Sequence, residues 1–209
     1  MDRRGFAVAV LKVGAVAAVG PTWPRGALAQ SRVGAAQLMN ELMSGQSSVG
    51  GPFTLRDAEG RTVRLADFRG KLVLLYFGYS ACADVCPTDL LEIAKLLSLL
   101  GAQAPQVQPI FITLDPARDT SEFIRQYASA FHPGIVALRG TEAETRKVAL
   151  AYKVFYEKVP LRSGKGYTID HTAFTYLLDR QGRYVAFMPP GTPASRMMSM
   201  IRDNFGLLE

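Results

Sequence analysis

The stretch that decides the fold is Leu72-Val-Leu-Leu-Tyr-Phe-Gly-Tyr-Ser-Ala-Cys82-Ala-Asp-Val-Cys86-Pro-Thr-Asp-Leu90, which holds both cysteines of the chain. Its apolar run after Lys71, bounded by Gly70 and Gly78, reads as a buried strand. A turn-like patch follows (Gly78, Tyr79, Ser80), then a helical pattern. Pro87 suits the first helical position, where its missing N–H is unpaired anyway, and Asp89 and Glu92 then fall in the first turn, where the helix dipole favours acid. Cys86 is thereby placed at a helix N-terminus. Unpaired backbone N–H groups stabilise a thiolate there, so a lowered pKa is expected for Cys86, with Cys82 as a second candidate.

Working outward toward the N-terminus, Arg3 and Arg4 precede a mildly apolar segment from Phe6 to Gly20, interrupted by Lys12, and then Ala27-Leu28-Ala29. This is the layout of a signal peptide, similar to a twin-arginine export signal, with cleavage expected after Ala29. A retained membrane anchor is the second reading, although a span needs about 20 apolar residues. Removing residues 1–29 takes away four of the 24 basic and one of the 18 acidic residues, leaving 20 against 17, so much of the +6 formal charge belongs to the leader. No Lys/Arg cluster interleaved with aromatics remains, and a nucleic-acid partner is not expected. Residues 30–50 are small and polar and read as a flexible tether. Residues 51–209 suit one domain with one sizeable core.

Phe53-Thr-Leu55 and Thr62-Val-Arg-Leu65 flank Asp57-Ala-Glu-Gly60, the pattern of an N-terminal β-hairpin. After the thiol-bearing helix, which should end at Gly101, Val107–Leu114 reads as a second buried strand. Asp119 with Glu122 makes a capping-box-like helix start, and His132-Pro-Gly ends that helix. A short strand at Ile135–Leu138 precedes a second capping box, Thr141-x-x-Glu144. Beyond an exposed loop at Leu161–Gly166, residues Tyr167–Leu178 read as one strand of a C-terminal hairpin that returns as Tyr184–Met188. Thr192 and Pro193 should open a last helix as cap and first residue. No internal repeat and no second domain are visible. The order of elements is α/β and thioredoxin-like, with an N-terminal β-hairpin and an insertion.

Three segments carry a family resemblance: Tyr76-Phe-Gly-Tyr-Ser-Ala-Cys82-Ala-Asp-Val-Cys86-Pro, Leu114-Asp-Pro-Ala-Arg-Asp-Thr120 and Tyr167-Thr-Ile-Asp-His171-Thr. In this order they resemble the Sco/SenC family, over roughly Gly51 to Asn204. The resemblance implies a thioredoxin-fold copper protein that helps to assemble the copper A centre of cytochrome c oxidase. It also implies copper ligands at Cys82, Cys86 and His171, with one ion per chain. Two departures, Ala83 where proline is common and Thr172 where serine is common, remove no ligand.

Elementary chemistry agrees with that set. Four residues on a helical path advance about 6 Å and nearly one turn, so both sulfurs can converge on one ion. The same separation lies inside the Cα window of a disulfide, so one site can hold a metal when reduced and close when oxidised. Two thiolates and an imidazole suit copper of either oxidation state, whereas a structural zinc site takes a fourth ligand. Of the two histidines, His132 reads as a capping or surface residue. Asp84 reads as a solvated loop carboxylate, and Asp115 and Asp119 read as strand-ending and helix-capping residues, with a brace beside the site as the alternative. Met188, Met197, Met198 and Met200 read as core filler.

Two functions compete. The first is an exported, periplasmic copper chaperone, soluble or tethered to the inner membrane, which serves the copper-bearing oxidase subunit and exchanges with other copper carriers. The second is a thiol–disulfide reductase that uses Cys82 and Cys86 as a redox-active pair to keep the oxidase's cysteines reduced. A structural disulfide in so short a loop would constrain little of the unfolded chain.

Overall fold

The computed structural model describes residues 49–205; the expected leader and all but the end of the tether lie outside them. The domain opens with a two-stranded antiparallel hairpin, β1 (Thr54–Arg56) and β2 (Thr62–Arg64). In its turn Gly60 takes a positive φ of 75°, and the Asp57 carboxylate accepts the N–H groups of Glu59 and Arg61. The expected N-terminal hairpin is therefore present. A 3₁₀ turn at Leu65–Phe68 leads into β3 (Leu72–Gly78), every residue of which is buried.

The rest alternates helix and strand: α1 (Val85–Leu100), β4 (Val107–Thr113), α2 (Ser121–Phe131), β5 (Val136–Leu138) and α3 (Glu142–Ala151). Then come β6 (Tyr156–Pro160), β7 (Tyr167–His171), β8 (Thr175–Leu178), β9 (Tyr184–Met188) and α4 (Ala194–Phe205). The central sheet has the order β5-β4-β3-β8-β9, with β3, β4 and β5 parallel and β8 and β9 antiparallel.

A sheet covered on both faces needs strands apolar on both faces, and β3 meets that demand by alternation. Leu72, Leu74 and Tyr76 enter the core shared with α1, α2 and α4. Val73, Leu75 and Phe77 enter the core on the other face, shared with the hairpin and α3. At about 1.5–3 kcal/mol for each fully buried large apolar side chain, this strand is the main cohesive element of the domain.

Several boundaries differ from the sequence expectations. α1 begins at Val85, so Pro87 is its third residue and the first turn holds no acid. Pro is tolerated there because the first N–H groups of a helix have no intrahelical partner. Asp89 and Glu92 instead reach the start of α4, accepting from Gly191 N at 2.7 Å and Ala194 N at 2.9 Å. Thr192 does not cap α4; its hydroxyl donates to the Pro189 carbonyl at 2.6 Å. α2 is capped by Thr120, whose Oγ1 accepts from Phe123 N, rather than by Asp119. The box at Thr141 and Glu144 and the stop at Gly101 are as expected.

The largest difference lies in residues 167–178. They are two strands, not one. β7 pairs antiparallel with β6 alone, Tyr156 facing His171 and Pro160 facing Tyr167, in a ribbon separate from the central sheet. Thr172 closes this ribbon by donating its N–H to the Phe155 carbonyl at 2.9 Å. Thr175 then enters the central sheet opposite Tyr76. The insertion is this β6–β7 ribbon, between α3 and β8.

Asp57 and Asp179 give the fold a definite acid response. Burial alone would raise both pKa values, but hydrogen bonds from Arg61 and Glu59 to Asp57, and from Arg183 and Gln181 to Asp179, more than reverse this and hold both below the usual carboxylate range. Such groups stabilise the fold fully above the unfolded-state pKa, about 4, and that contribution is lost as pH falls through the folded value. Asp89, raised by its burial, works in the opposite direction. Denaturant unfolding at stepped pH is expected to show stability declining below about pH 4, with a shallower decline in the Asp57→Asn, Asp179→Asn double variant.

Candidate metal centre

The carboxyl end of β3 delivers the chain to a short loop, and Cys82 and Cys86 stand at that loop and in the first turn of α1. His171 is the last residue of β7. These elements bring the two sulfurs and an imidazole nitrogen within 4.8 Å of one another, although 85 residues separate Cys86 from His171. The Cys86 sulfur lies 3.5 Å from His171 Nε2. Among the described residues this is the one cluster of three or more Cys, His, Asp or Glu side chains with metal-ligand spacing. A three-coordinate ion with bonds of about 2.0–2.3 Å needs donors about 4 Å apart, so only small shifts are required. The other imidazole nitrogen, His171 Nδ1, is buried without a hydrogen-bond partner among the described residues, leaving Nε2 as the atom turned to the sulfurs.

Gly78 makes the approach possible. A Cβ there would meet Cys86 Sγ, Phe111 and Tyr76 at 3.0 Å each, so any larger residue at the end of β3 would crowd the buried sulfur. Both cysteines are free thiols, Cys82 partly buried and Cys86 fully buried.

The electrostatics reverse the expectation for the two thiols. The Cys86 backbone N–H, one of the unpaired donors of the first turn, points at Cys82 Sγ at 3.4 Å, so the helix start serves the preceding sulfur and not its own. A hydrogen bond from the Cys86 thiol, with further help from His171 and the backbone N–H groups of Asp84 and Cys86, pulls Cys82 down to about 3. Cys86 is pushed up by that same pairing with the Cys82 sulfur and by its burial. Both shifts favour the proton on Cys86 over the proton on Cys82.

Residues beyond the donors frame the site. Tyr79 stands edge-on to His171, ring centroids 5.9 Å apart. The carboxylate of Asp119 accepts from Ser80 N at 3.1 Å, from the Ser80 hydroxyl, and from Thr113 Oγ1 at 2.5 Å. Asp115 accepts from the Tyr167 hydroxyl at 2.8 Å and pairs with Arg118. Both aspartates thus brace the site, the alternative left open by the sequence. Asp89, buried one turn beyond Cys86, acts electrostatically on this group, since Tyr76, His171 and Cys82 all affect its proton affinity. Asp84 is exposed. His132 is not in the cluster; its Nδ1 accepts from Gly134 N at 3.0 Å. Met188, Met197 and Met198 are buried in the core. Tyr79, Arg118 and Tyr167 were not singled out by sequence, although they sit inside the first, second and third of the motifs quoted for the resemblance.

A thioredoxin-like α/β domain with a dithiol at a helix start, faced by an imidazole from an inserted ribbon, defines a class of soft-metal and dithiol proteins. Within that class the chain belongs to the SCO1/SenC family, whose model matches residues 41–205. The SCO2-like protein RP587 of Rickettsia prowazekii is 38% identical over 156 residues, which are 74% of this chain and 76% of that one. The structure of Bradyrhizobium japonicum ScoI with copper bound is 41% identical, with a TM-score of 0.68, and the match covers 75% of this chain and 99% of that one. BsSco, described as having a disulfide switch and as a member of the Sco family of cytochrome c oxidase assembly proteins, shares the fold at 22% identity and a TM-score of 0.59, over 77% of this chain and 95% of its own.

The split of charge between the thiols can be read chemically. An ordinary thiol loses its thiolate between about pH 8 and pH 5, whereas Cys82, with its pKa drawn down to about 3, keeps it. Alkylation of the reduced protein followed by peptide mapping is expected to label Cys82 at a rate nearly flat over that range and to leave Cys86 largely unlabelled. Equal labelling of the two, rising together with pH, would contradict the assignment.

Proposed function

We propose that the chain is an exported copper chaperone that carries one copper ion on Cys82, Cys86 and His171 and delivers it to the copper A centre of cytochrome c oxidase during assembly. The observation that carries this reading is the convergence of two sulfurs and one imidazole nitrogen, from segments far apart in sequence, within 4.8 Å. A soft three-donor set without a fourth protein ligand suits copper better than zinc. With both thiols deprotonated the site carries a net charge of −1 around Cu⁺ and is neutral around Cu²⁺, so neither state leaves a large buried charge. The copper-bound relative from Bradyrhizobium japonicum supports the choice of metal, and the family description of BsSco supports the oxidase as recipient.

The chain's own groups divide the work. Cys86 is the buried anchor. Cys82 is partly exposed, which makes its sulfur the one that an incoming ligand of the oxidase subunit, or of another copper carrier, can approach first. Copper binding displaces the proton held by Cys86, so capture releases a proton and weakens as pH falls. The site works outside the cytoplasm, in the periplasm, either free or tethered to the inner membrane through the N-terminal segment.

The proton distribution favours a second reading, a thiol–disulfide reductase. In that reaction the Cys82 thiolate attacks a sulfur of the target disulfide and expels one target thiolate. Cys86 then loses its proton and attacks Cys82 Sγ, releasing the second target thiol and leaving a Cys82–Cys86 disulfide. This chemistry has no need of a third donor.

His171 separates the two. The His171→Ala variant is expected to weaken copper binding, at matched pH and thiol state, by more than the roughly 10–100-fold typical of losing an outer-shell partner, while the thiols remain oxidisable. Unchanged copper affinity would overturn the three-donor site. In a strain lacking the protein, oxidase copper content is expected to fall and to recover with excess copper in the medium. Recovery with an added reductant instead would favour the reductase.

A further inference from the structure

The β6–β7 ribbon pairs only with itself among the described strands, so the ladder of the central sheet does not set where His171 stands relative to the two sulfurs. Besides the buried Ile169, the partly buried rings of Tyr156 and Tyr167 and the exposed Lys158–Glu142 pair, a small group of polar side chains attaches β7 beside the site. Tyr79 Oη lies 2.7 Å from Thr168 Oγ1 and accepts the Ile169 N–H at 3.3 Å. Tyr167 donates its hydroxyl proton to Asp115 Oδ1 at 2.8 Å. Arg118 Nη1 donates to the Tyr167 carbonyl at 2.8 Å, and its guanidinium lies 3.8 Å from the centroid of the Tyr167 ring. The Nε of the same guanidinium pairs with the second carboxylate oxygen of Asp115, which is fully buried.

Arg118 is thus held from below by a buried carboxylate and grips β7 at its first residue through both backbone and ring. Its side chain is 35% exposed, so it can be removed without opening a cavity in the core. Tyr79, 3% exposed, cannot. A stacked, doubly hydrogen-bonded guanidinium is a geometry that arginine alone supplies.

We propose that Arg118, anchored by Asp115, is the positioning residue for His171: it latches the ribbon so that the imidazole stays against the two sulfurs. With the latch released, the ribbon can lift and the site drops from three donors to two, which is the state from which an ion exchanges. The inference rests on the three-donor reading above.

The test uses the full chain, reduced and loaded with one equivalent of Cu⁺, and follows transfer to a colorimetric Cu⁺ chelator. Arg118→Ala is expected to release copper about 10–100-fold faster than the parent. Tyr167→Phe, which keeps the ring and loses only the bond to Asp115, should act in the same direction by less. In the metal-free protein the amides of Thr168 to His171 should exchange with solvent faster in Arg118→Ala than in the parent. The Cu²⁺-loaded variant should show a fraction of the absorption spectrum given by His171→Ala, a signature that a purely structural role would not produce. Release at the parental rate from both Arg118→Ala and Tyr167→Phe, with faster release from His171→Ala, would overturn the latch alone. Parental release from His171→Ala would overturn the three-donor reading and the latch with it.

Discussion

The carboxylate of Asp119 is the constraint on which the geometry of the site depends. Its side chain is almost wholly buried, yet it is saturated by donors: Ser80 N, the Ser80 hydroxyl and Thr113 Oγ1. A buried charge without such partners would cost several kcal/mol, so the three donors and the acceptor fix one another. One donor belongs to the end of β4 and two to the loop that carries Cys82. The carboxylate therefore ties the thiol-bearing loop to the sheet at the point where the loop would otherwise be free to drift. Four residues before Asp119, and also buried, Asp115 holds Arg118 and Tyr167. One short segment, residues 115–119, thus grips the cysteine side of the site with one carboxylate and the histidine side with the other.

The two cysteines are chemically unequal because the helix begins at Val85. With Cys86 as the second helical residue, its side chain is directed into the core beside Tyr76 and Phe111, next to Gly78, while its N–H remains unpaired within the helix and finds Cys82. Burial raises the proton affinity of both thiols, whereas the hydrogen bond between them lowers that of Cys82 and raises that of Cys86. The arrangement favours an accessible thiolate at Cys82 and a shielded thiol at Cys86, the reverse of what the sequence pattern suggests.

Much of the fold was legible in the sequence because it rests on local signals. The buried β3 run, the capping box at Thr141 and Glu144, the glycine stop at Gly101 and the hairpin turn at Asp57–Gly60 each carry their own chemistry within a few residues. The candidate donors were legible through residue type, spacing and motif. The errors have a common physical origin in tertiary partners. Asp89 and Glu92 look like first-turn acids, but the N–H groups that they satisfy belong to α4, about 100 residues away. Asp119 sits one position before Thr120, and either could cap α2; Ser80 and Thr113 claim the carboxylate, so the hydroxyl caps the helix. Residues 167–178 alternate as one strand would, and nothing in that period reveals that the first five pair with β6 and the last four with β3.

The break inside that stretch has a mechanical consequence. Had residues 167–178 formed one strand of the central sheet, His171 would have been held by ladder hydrogen bonds continuous with β3, as rigidly as the cysteines themselves. On a two-stranded ribbon, which has marginal stability in isolation, its position depends instead on the buried Ile169, the partly buried rings of Tyr156 and Tyr167, and side-chain contacts at the ribbon's base. Such contacts can be lost without breaking the central sheet. Two donors therefore stand on the loop and helix that follow the central strand β3 and the third on a ribbon outside the central sheet. Under the proposed chaperone role, this division allows one donor to leave while the other two keep their geometry.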